Sequence, residues 1–312
     1  MPLAAAAKAP HITGTFSMPH GLTPGGFVIH GMTAGPGNTM WLTTETATGA
    51  TTKPALLRVA ASGHVSAIKI SAPGGISFTG LGLGPDHRIW FSGTGIAGQH
   101  RGVSGSVSGT TAHSVLAKDS RSWEQLAVAK GTAYLTTGFS DLMTSKNGTT
   151  FGSLVLDNLN PSDIQPFGGG FAVAGDGGVG VLAPGATSAT LLTGPGGSAL
   201  ASRYETVAKN KLWFLSQVGD GVVDGVGVAG TDGTATIHHL AGLRNITTGP
   251  DDAVWVLTNS KAERLSASGK VDAKVRLPGG QRGILICGAD SKYLWVATLT
   301  GSGVGKLVRI TV

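Results

Sequence analysis

Short runs of apolar and β-branched residues alternate with turn residues along the whole chain. Val, Thr, Ile and Leu recur in segments of strand length, and stretches rich in Gly separate them. β-Branched residues favour the half-buried surface of a strand, whereas Gly, Pro, Asn and Asp supply the backbone angles of tight turns. No segment shows the apolar period of a long amphipathic helix. The pattern predicts an all-β protein with many short strands.

The strand pattern repeats, and nearly every copy carries an aromatic residue shortly after a Gly-containing turn. The segments 33–44, 82–93, 247–258 and 287–298 are the clearest copies. Shorter turns occur in 127–137 and 206–216, and a degenerate copy occupies 165–175. The interval is about 40 residues, the length of one propeller blade. The repeat predicts a seven-bladed β-propeller whose blade anchors are Trp41, Trp90, Tyr134, Ala172, Trp213, Trp255 and Trp295.

The two chain ends are complementary in this repeat. In 56–70 and 263–277, a third strand leads through a Ser-Gly turn into an outer strand. The last copy ends with KLVRITV at 306–312 and lacks the outer strand, but 11–19 has the shape of one. We expect this N-terminal strand to close the last blade, because closure removes an exposed sheet edge. Residues 11–312 are therefore predicted to form one propeller, and residues 1–10 a flexible tail.

The charge composition limits the classes of molecule that the protein is expected to bind. The 23 Lys and Arg residues against 17 Asp and Glu give a formal net charge of +6, and charged residues are only 13% of the chain. No Lys/Arg block is interleaved with aromatics, so we expect no nucleic-acid partner and retain an anionic small molecule or glycan. The single cysteine, Cys287, lies in an apolar run and is predicted to be a core thiol. We expect a monomer.

The chain start bears on localisation. No run of 18 apolar residues occurs, so we expect no membrane partner. The first ten residues, MPLAAAAKAP, lack the long apolar region of a signal peptide and are typical of the Ala-rich start of a mature exported protein. They predict a secreted or periplasmic protein whose signal peptide is not in this sequence. A plain disordered N-terminus explains the same residues equally well.

The blade signature points to a family. The segments 30–45 and 246–270 carry a Thr, a Gly-Pro turn and a Trp, and in 246–270 an Arg-Leu strand and a Ser-Gly-Lys turn follow. This signature resembles that of the virginiamycin B lyase family, in which a metal-dependent lyase opens a cyclic depsipeptide by elimination. The resemblance implies histidines at inner-strand starts and a glutamate a few residues past the blade Trp.

The functional positions of that family are mostly not matched. The histidine position holds His30 in the first blade, and in the others it falls on Thr79, Glu124, Ser162, Arg203, Arg244 and Gly283. The glutamate position falls on Thr44 in the first blade and is not acidic in any blade, although Glu45 is adjacent. We therefore expect neither a metal site nor another cofactor, and not the metal-dependent chemistry of that family.

The starts of the inner strands converge on one mouth of a propeller channel. They bring charged and polar residues from distant parts of the chain to one predicted site: His30, Glu124, Arg203, Tyr204, Glu205, Arg244, Asn245 and Arg282. Guanidinium groups bind carboxylate or sulfate in bidentate fashion, which predicts an anion pocket, for example for a uronate. The alternative is a structural ring of ion pairs that closes the channel.

The predicted function is a lyase-type elimination on an anionic substrate. His30, Tyr204 and Glu124 are the predicted catalytic residues, with a proton removed next to a carbonyl. The predicted substrate-binding residues are Arg203, Arg244, Arg282, Glu45 and Asn245. Hydrolysis by a carboxylate pair drawn from Glu45, Glu124 and Glu205 is one alternative. Another is a non-catalytic exported propeller that binds an anionic glycan, a cell-wall ligand or a protein. The loops 96–109, 139–152 and 218–230 are candidate lids.

Overall fold

The computed structural model describes residues 9–18, 27–48, 51–71, 76–95, 102–116, 122–202, 204–218, 222–230, 233–288 and 292–312. Across these ranges, the regular structure consists of 28 strands and one 3-10 turn at Pro195–Gly197. Within the same ranges, no helix has the length and apolar character needed to cross a membrane.

The first half of the chain forms thirteen strands. They are β1 His11–Ser17, β2 Phe27–Gly35, β3 Thr39–Thr48, β4 Thr51–Val59, β5 Val65–Ser71, β6 Ile76–Leu83, β7 Ile89–Gly95, β8 Gly102–Ser108, β9 Thr111–Leu116, β10 Leu126–Ala129, β11 Thr132–Thr136, β12 Asp141–Ser145 and β13 Gly152–Val155.

The second half forms fifteen more. They are β14 Asn160–Phe167, β15 Gly170–Asp176, β16 Gly178–Leu182, β17 Thr190–Leu191, β18 Glu205–Ala208, β19 Lys211–Val218, β20 Val222–Ala229, β21 Ala235–His239, β22 Leu243–Thr248, β23 Val254–Thr258, β24 Lys261–Leu265, β25 Val271–Arg276, β26 Gln281–Cys287, β27 Leu294–Thr300 and β28 Gly305–Thr311.

These strands form seven antiparallel blades of four strands. Five blades are separate sheets, and the first two blades share one eight-stranded sheet. They are joined through their outer strands, where Lys69–Ser71 of β5 pairs in parallel with Thr111–His113 of β9. The seven inner strands β2, β6, β10, β14, β18, β22 and β26 contact one another in sequence, and β26 also contacts β2. The ring is therefore closed, which confirms the predicted seven-bladed propeller.

The N-terminal strand completes the seventh blade, as predicted. β1 pairs antiparallel with β28, from His11 opposite Thr311 to Ser17 opposite Lys306. The guanidinium of Arg309 lies 4.7 Å from the ring centre of Tyr293 and also faces Phe16 and Trp295. Arg309 donates hydrogen bonds to the carbonyl and hydroxyl oxygens of Thr13 in β1. Hydrogen bonds and ring contacts thus fasten the first strand to the last one.

The predicted blade anchors all lie on the second strand of their blade, and their positions in the core explain the repeat. Trp255 packs with Ile286 and Leu294, so it fills the space between blades six and seven. Trp295 packs with Met40 and Leu42, across the junction of blades seven and one. A four-stranded sheet buries its faces against neighbouring blades, and the aromatics supply that contact.

The Gly-Pro-Asp turn is part of the same packing unit. The indole Nε1 of Trp90 donates to Asp86 Oδ1 at 2.9 Å, and Trp255 donates to Asp251 Oδ1 at 3.2 Å. The Gly that opens the turn lies against the indole, because a Cβ at Gly84 would be 2.4 Å from Trp90 Nε1. The signature therefore holds the Trp in place, and its presence reports blade packing.

We expect Gly84→Ala to lower the free energy of unfolding by about 1–3 kcal/mol, the usual cost of overpacking a core. Trp90 is buried and hydrogen-bonded, so the ring has little room to move away from the added methyl group. Gly279→Ala is the matched control, because a Cβ there meets no atom within 4 Å. Urea denaturation measures both variants. Equal stability of the two would contradict this account of the turn.

Candidate functional site

The hydrogen-bonded pairing of most inner strands is interrupted near their first residues. In five of the seven, the pairing with the second strand skips one residue, and such a bulge redirects the side chain of the skipped residue. The skipped residues are His30, Thr79, Ser162, Arg244 and Ile284. In the last blade the predicted position, Gly283, is wrong by one residue, because Gly283 pairs with Thr298 in the regular ladder.

The inner strands surround a cavity of about 860 Å³, and all seven contribute to its lining. A volume of this order suits a small-molecule ligand. The described residues therefore leave the centre of the channel open and form no ion-pair network that fills it. The titratable residues in the described lining are His30, His87, Glu124, Asp163, Asp176, Tyr204, Glu205 and Cys287.

The structure brings some of the predicted site residues together and separates others. Arg244 and Arg282 are exposed and do not line the cavity. Arg203 lies outside the described residues. Glu45 lies outside the lining but contacts His30. The predicted site residues that do line the cavity are His30, Glu124, Tyr204, Glu205 and Asn245. Among the described lining residues there is no Lys or Arg, so Arg244 and Arg282 do not supply an anion pocket inside the cavity.

His30 and Glu45 form a pair between the first two strands of blade one. His30 Nε2 lies 3.4 Å from Glu45 Oε2, and both side chains are mostly buried. The atoms are at ion-pair distance but are not aligned for a hydrogen bond. Catalytic hydrogen bonds are often long in the absence of substrate and shorten when it binds. A carboxylate in this place stabilises the imidazolium that forms when His30 accepts a proton.

Two predicted substrate-binding residues of blade six have partners within the protein. Arg244 donates from Nε to Asn259 Oδ1 in the turn after β23. Asn245 is buried, and its Oδ1 accepts a hydrogen bond of 3.2 Å from the backbone N–H of Ile286 in blade seven. Asn245 therefore connects two neighbouring inner strands at the cavity wall.

Asp163 makes the same connection between blades four and five, and the sequence analysis missed it. Its Oδ2 accepts from the backbone N–H of Glu205 at 2.9 Å, and its Oδ1 accepts from that of Ile164 at 2.8 Å. Burial raises the pKa of Asp163 to about 6, although both hydrogen bonds favour the charged form. The bonds identify Asp163 as the charged counterpart of Asn245.

Glu205 is buried, and among the described residues neither of its carboxyl oxygens has a hydrogen-bond partner. Burial raises its pKa well above the ordinary value, and the charge of Asp163 raises it further. Titratable groups with strongly shifted pKa values are more frequent in functional sites than elsewhere. From the sequence, Glu205 was a neighbour of other site residues and one candidate for a carboxylate pair, but it was not singled out. Comparing the blades one position at a time would have singled it out.

Blade register shows how unusual Glu205 is. It pairs with Phe214, the residue directly after the anchor Trp213. The corresponding inner-strand residue in the other six blades is apolar: Met32, Leu81, Leu126, Ile164, Ile246 and Ile286. One blade thus places a carboxyl group where the fold otherwise places core side chains.

The metal implied by the family resemblance does not fit the described residues. They contain no group of three or more His, Cys, Asp or Glu residues placed to hold a metal ion. Mg²⁺ and Ca²⁺ require several oxygen ligands in one shell, and the oxygens of Asp163 already accept backbone N–H groups. We assign no step to a metal ion.

Comparisons with known proteins show the fold. No protein-family model and no curated protein matches the sequence. Virginiamycin B lyase from Staphylococcus aureus matches with a TM-score of 0.67 and 14% identity, over 96% of this chain and 98% of that one. A chain of the mitotic checkpoint complex matches with a TM-score of 0.71, 10% identity and coverage of 96% and 95%. The Neurospora crassa Pan2 WD40 domain matches with a TM-score of 0.67 and 10% identity, over 96% of this chain and 94% of that one.

Proposed function

We propose that this propeller is a lyase-type enzyme that eliminates a leaving group from a small molecule bound at the mouth of its channel. The observation that supports the proposal is the His30–Glu45 pair, whose imidazole faces a cavity of ligand size. An enzyme of this kind requires an accessible cavity and a positioned proton acceptor, and the cavity and the His30–Glu45 contact support these two requirements. The fold similarity to virginiamycin B lyase is consistent with the proposal but concerns the fold alone.

In the proposed reaction, His30 accepts the proton from the carbon next to a carbonyl group. The electron pair left behind forms a carbon–carbon double bond as the bond to the leaving group breaks. Glu45 stabilises the imidazolium, and the hydroxyl of Tyr204 or the carboxyl of Glu124 donates a proton to the leaving group. Both donors line the same cavity as His30.

The proposed substrate carries a carboxylate, which a residue outside the cavity recognises. Arg244 follows the start of β22, so it lies at the mouth end of blade six, and it is exposed. A guanidinium in that place can bind a carboxylate that projects from the cavity. Its hydrogen bond to Asn259 leaves the terminal nitrogens to make such a contact.

We expect His30→Asn and Glu45→Gln to lower the elimination rate about a hundredfold or more, the usual contribution of acid–base catalysis. The assay follows ultraviolet absorbance of the unsaturated product with uronate oligosaccharides and a cyclic depsipeptide as substrates. His87→Asn is the control, because His87 lines the same cavity at the opposite strand ends and its positive φ suits Asn. Unchanged rates in both pair variants would rule out His30 as the base.

A second candidate function is protein binding by the mouth face without catalysis. All six exposed large apolar residues of the described chain lie at strand ends or loops of this face: Val28, Phe139, Val155, Leu191, Tyr204 and Val222. Exposed apolar residues grouped on one face are typical of interaction surfaces. Under this candidate, Phe139→Ser weakens partner binding, whereas His30→Asn does not affect it.

A further inference from the structure

Glu205 lowers the stability of the fold unless something binds it. A buried carboxyl without hydrogen-bond partners costs free energy, and a core leucine or isoleucine at the same place would not. Its ladder partner Phe214 is completely buried and belongs to the core between blades four and five. Buried unpaired polar groups in folded proteins require a reason, and a role in a functional site is one such reason.

The surroundings of Glu205 define the chemistry of a ligand. The backbone N–H of Glu205 is occupied by Asp163, whose own two oxygens both accept backbone N–H groups. Both oxygens of Glu205 are buried and have no hydrogen-bond partner among the described residues. The described lining adds the carboxyls of Glu124 and Asp176 and contains no Lys or Arg. The site is thus rich in acceptors and negative charge.

We propose that Glu205, supported by Asp163, is a binding subsite for a primary ammonium group of the molecule held in the channel cavity. An ammonium group has three donors and a compact charge, so it can satisfy both oxygens of Glu205. A divalent cation is a poorer match, because two carboxyls supply too few oxygens for it. The inference concerns binding and rests on the cavity, not on the elimination chemistry proposed at His30.

Together with Arg244 at the rim, the subsite specifies a class of ligand. A molecule with an amino group inside the cavity and a carboxylate at the mouth is zwitterionic, as amino acids and short peptides are. The ammonium subsite itself depends only on Glu205 and Asp163. The assignment of a zwitterionic ligand also rests on the proposed function.

The test uses n-butylammonium as the probe and n-pentanol as its uncharged counterpart of similar size. Isothermal titration calorimetry and the thermal unfolding midpoint measure binding to the whole protein. We expect n-butylammonium to bind and to raise the midpoint, and n-pentanol to bind at least tenfold more weakly. Burial raises the pKa of Glu205, and a bound ammonium group favours the ionised carboxylate. Binding should therefore release protons, which calorimetry in buffers of different ionisation enthalpy detects.

Variants separate the subsite from the rest of the cavity. Glu205→Gln should weaken n-butylammonium binding at least tenfold, and Glu205→Met, which copies Met32 of blade one, should do the same in a stable fold. His87→Asn changes another lining residue, at the opposite strand ends, and should leave binding unchanged. Binding that persists in both Glu205 variants, or equal binding of n-pentanol, overturns the inference.

Separate experiments test the ammonium subsite and the elimination proposed at His30. His30→Asn should bind n-butylammonium as tightly as the wild type does, because His30 belongs to blade one and the subsite to blades four and five. Absence of ammonium binding in the wild type refutes the subsite and leaves the proposed elimination to be decided by its own assay.

Discussion

Glu205→Leu should raise the free energy of unfolding by about 2–3 kcal/mol, even though it removes a residue that we place in the binding site. The variant replaces a buried, unpartnered carboxyl with the side chain that blades two and three carry at the same position, Leu81 and Leu126. Urea denaturation at neutral pH measures the gain. Sites that bind ligands are often kept at a cost to stability.

The reverse substitution provides the control. Leu81→Glu places a carboxyl at the corresponding position of blade two, where Leu81 packs with Phe78 and Phe91. It should destabilise the fold by a similar or larger amount, because the described core around Leu81 is apolar and offers the charge no partner. Loss of stability in Glu205→Leu would show that the carboxyl has a partner within the protein and would remove the reason for a ligand there.

Stability should fall as the pH rises from about 4 to about 6, with Asp163 contributing about 3 kcal/mol to the loss at ~1.4 kcal/mol per pH unit. The pKa of Asp163 is about 6 in the folded protein, against 3.8 for an ordinary aspartate. Between these values the folded state holds a proton that the unfolded chain has released, so rising pH favours unfolding. This contribution is complete below about pH 4 and lost above about pH 6.

The raised pKa of Glu205 has the same sign and extends the loss of stability to higher pH. Asp163→Asn should flatten the Asp163 part of the profile while it keeps the acceptor for the Glu205 N–H, as Asn245 does in blade six. The exposed lining carboxyl Asp176 gives the control variant, Asp176→Asn, whose profile should follow the wild type. A wild-type profile that rises through this range would mean that the Asp163 carboxyl is ionised and well solvated.

The fold was predictable because blade packing leaves a periodic mark on the sequence. Each blade needs a bulky residue on its second strand and a turn before it, so Trp90 and Trp255 recur with their Gly-Pro-Asp turns. Even the degenerate fourth blade keeps the position, with Ala172 in the middle of β15. Trp123 was not explained by the repeat. It lies before β10, and its Nε1 donates to Ser104 of blade two at 3.2 Å.

The site was less predictable because periodicity fixes which strand carries a residue and not where its side chain points. Arg282 is at the start of β26, the mouth end of blade seven, but it pairs with Leu299 in the ladder and does not line the cavity, since the bulge comes two residues later. Arg244 is at a bulge, and its guanidinium turns to Asn259. The His30–Glu45 contact could not be read from the family pattern, because Glu45 is one residue from the expected position. Glu205 could have been found by aligning the seven blades, since the other six blades carry an apolar residue at the equivalent position.

The pairing of β1 with β28 has a consequence for biosynthesis. His11 is translated long before its partner Thr311. Until β28 has been translated, the first strand has no mate, and the inner ring cannot close before β26 reaches β2. The propeller therefore closes late in its own synthesis. During that interval the open seventh blade can accept the first strand of another molecule, so we expect strand-exchanged dimers as a misassembly product of this topology.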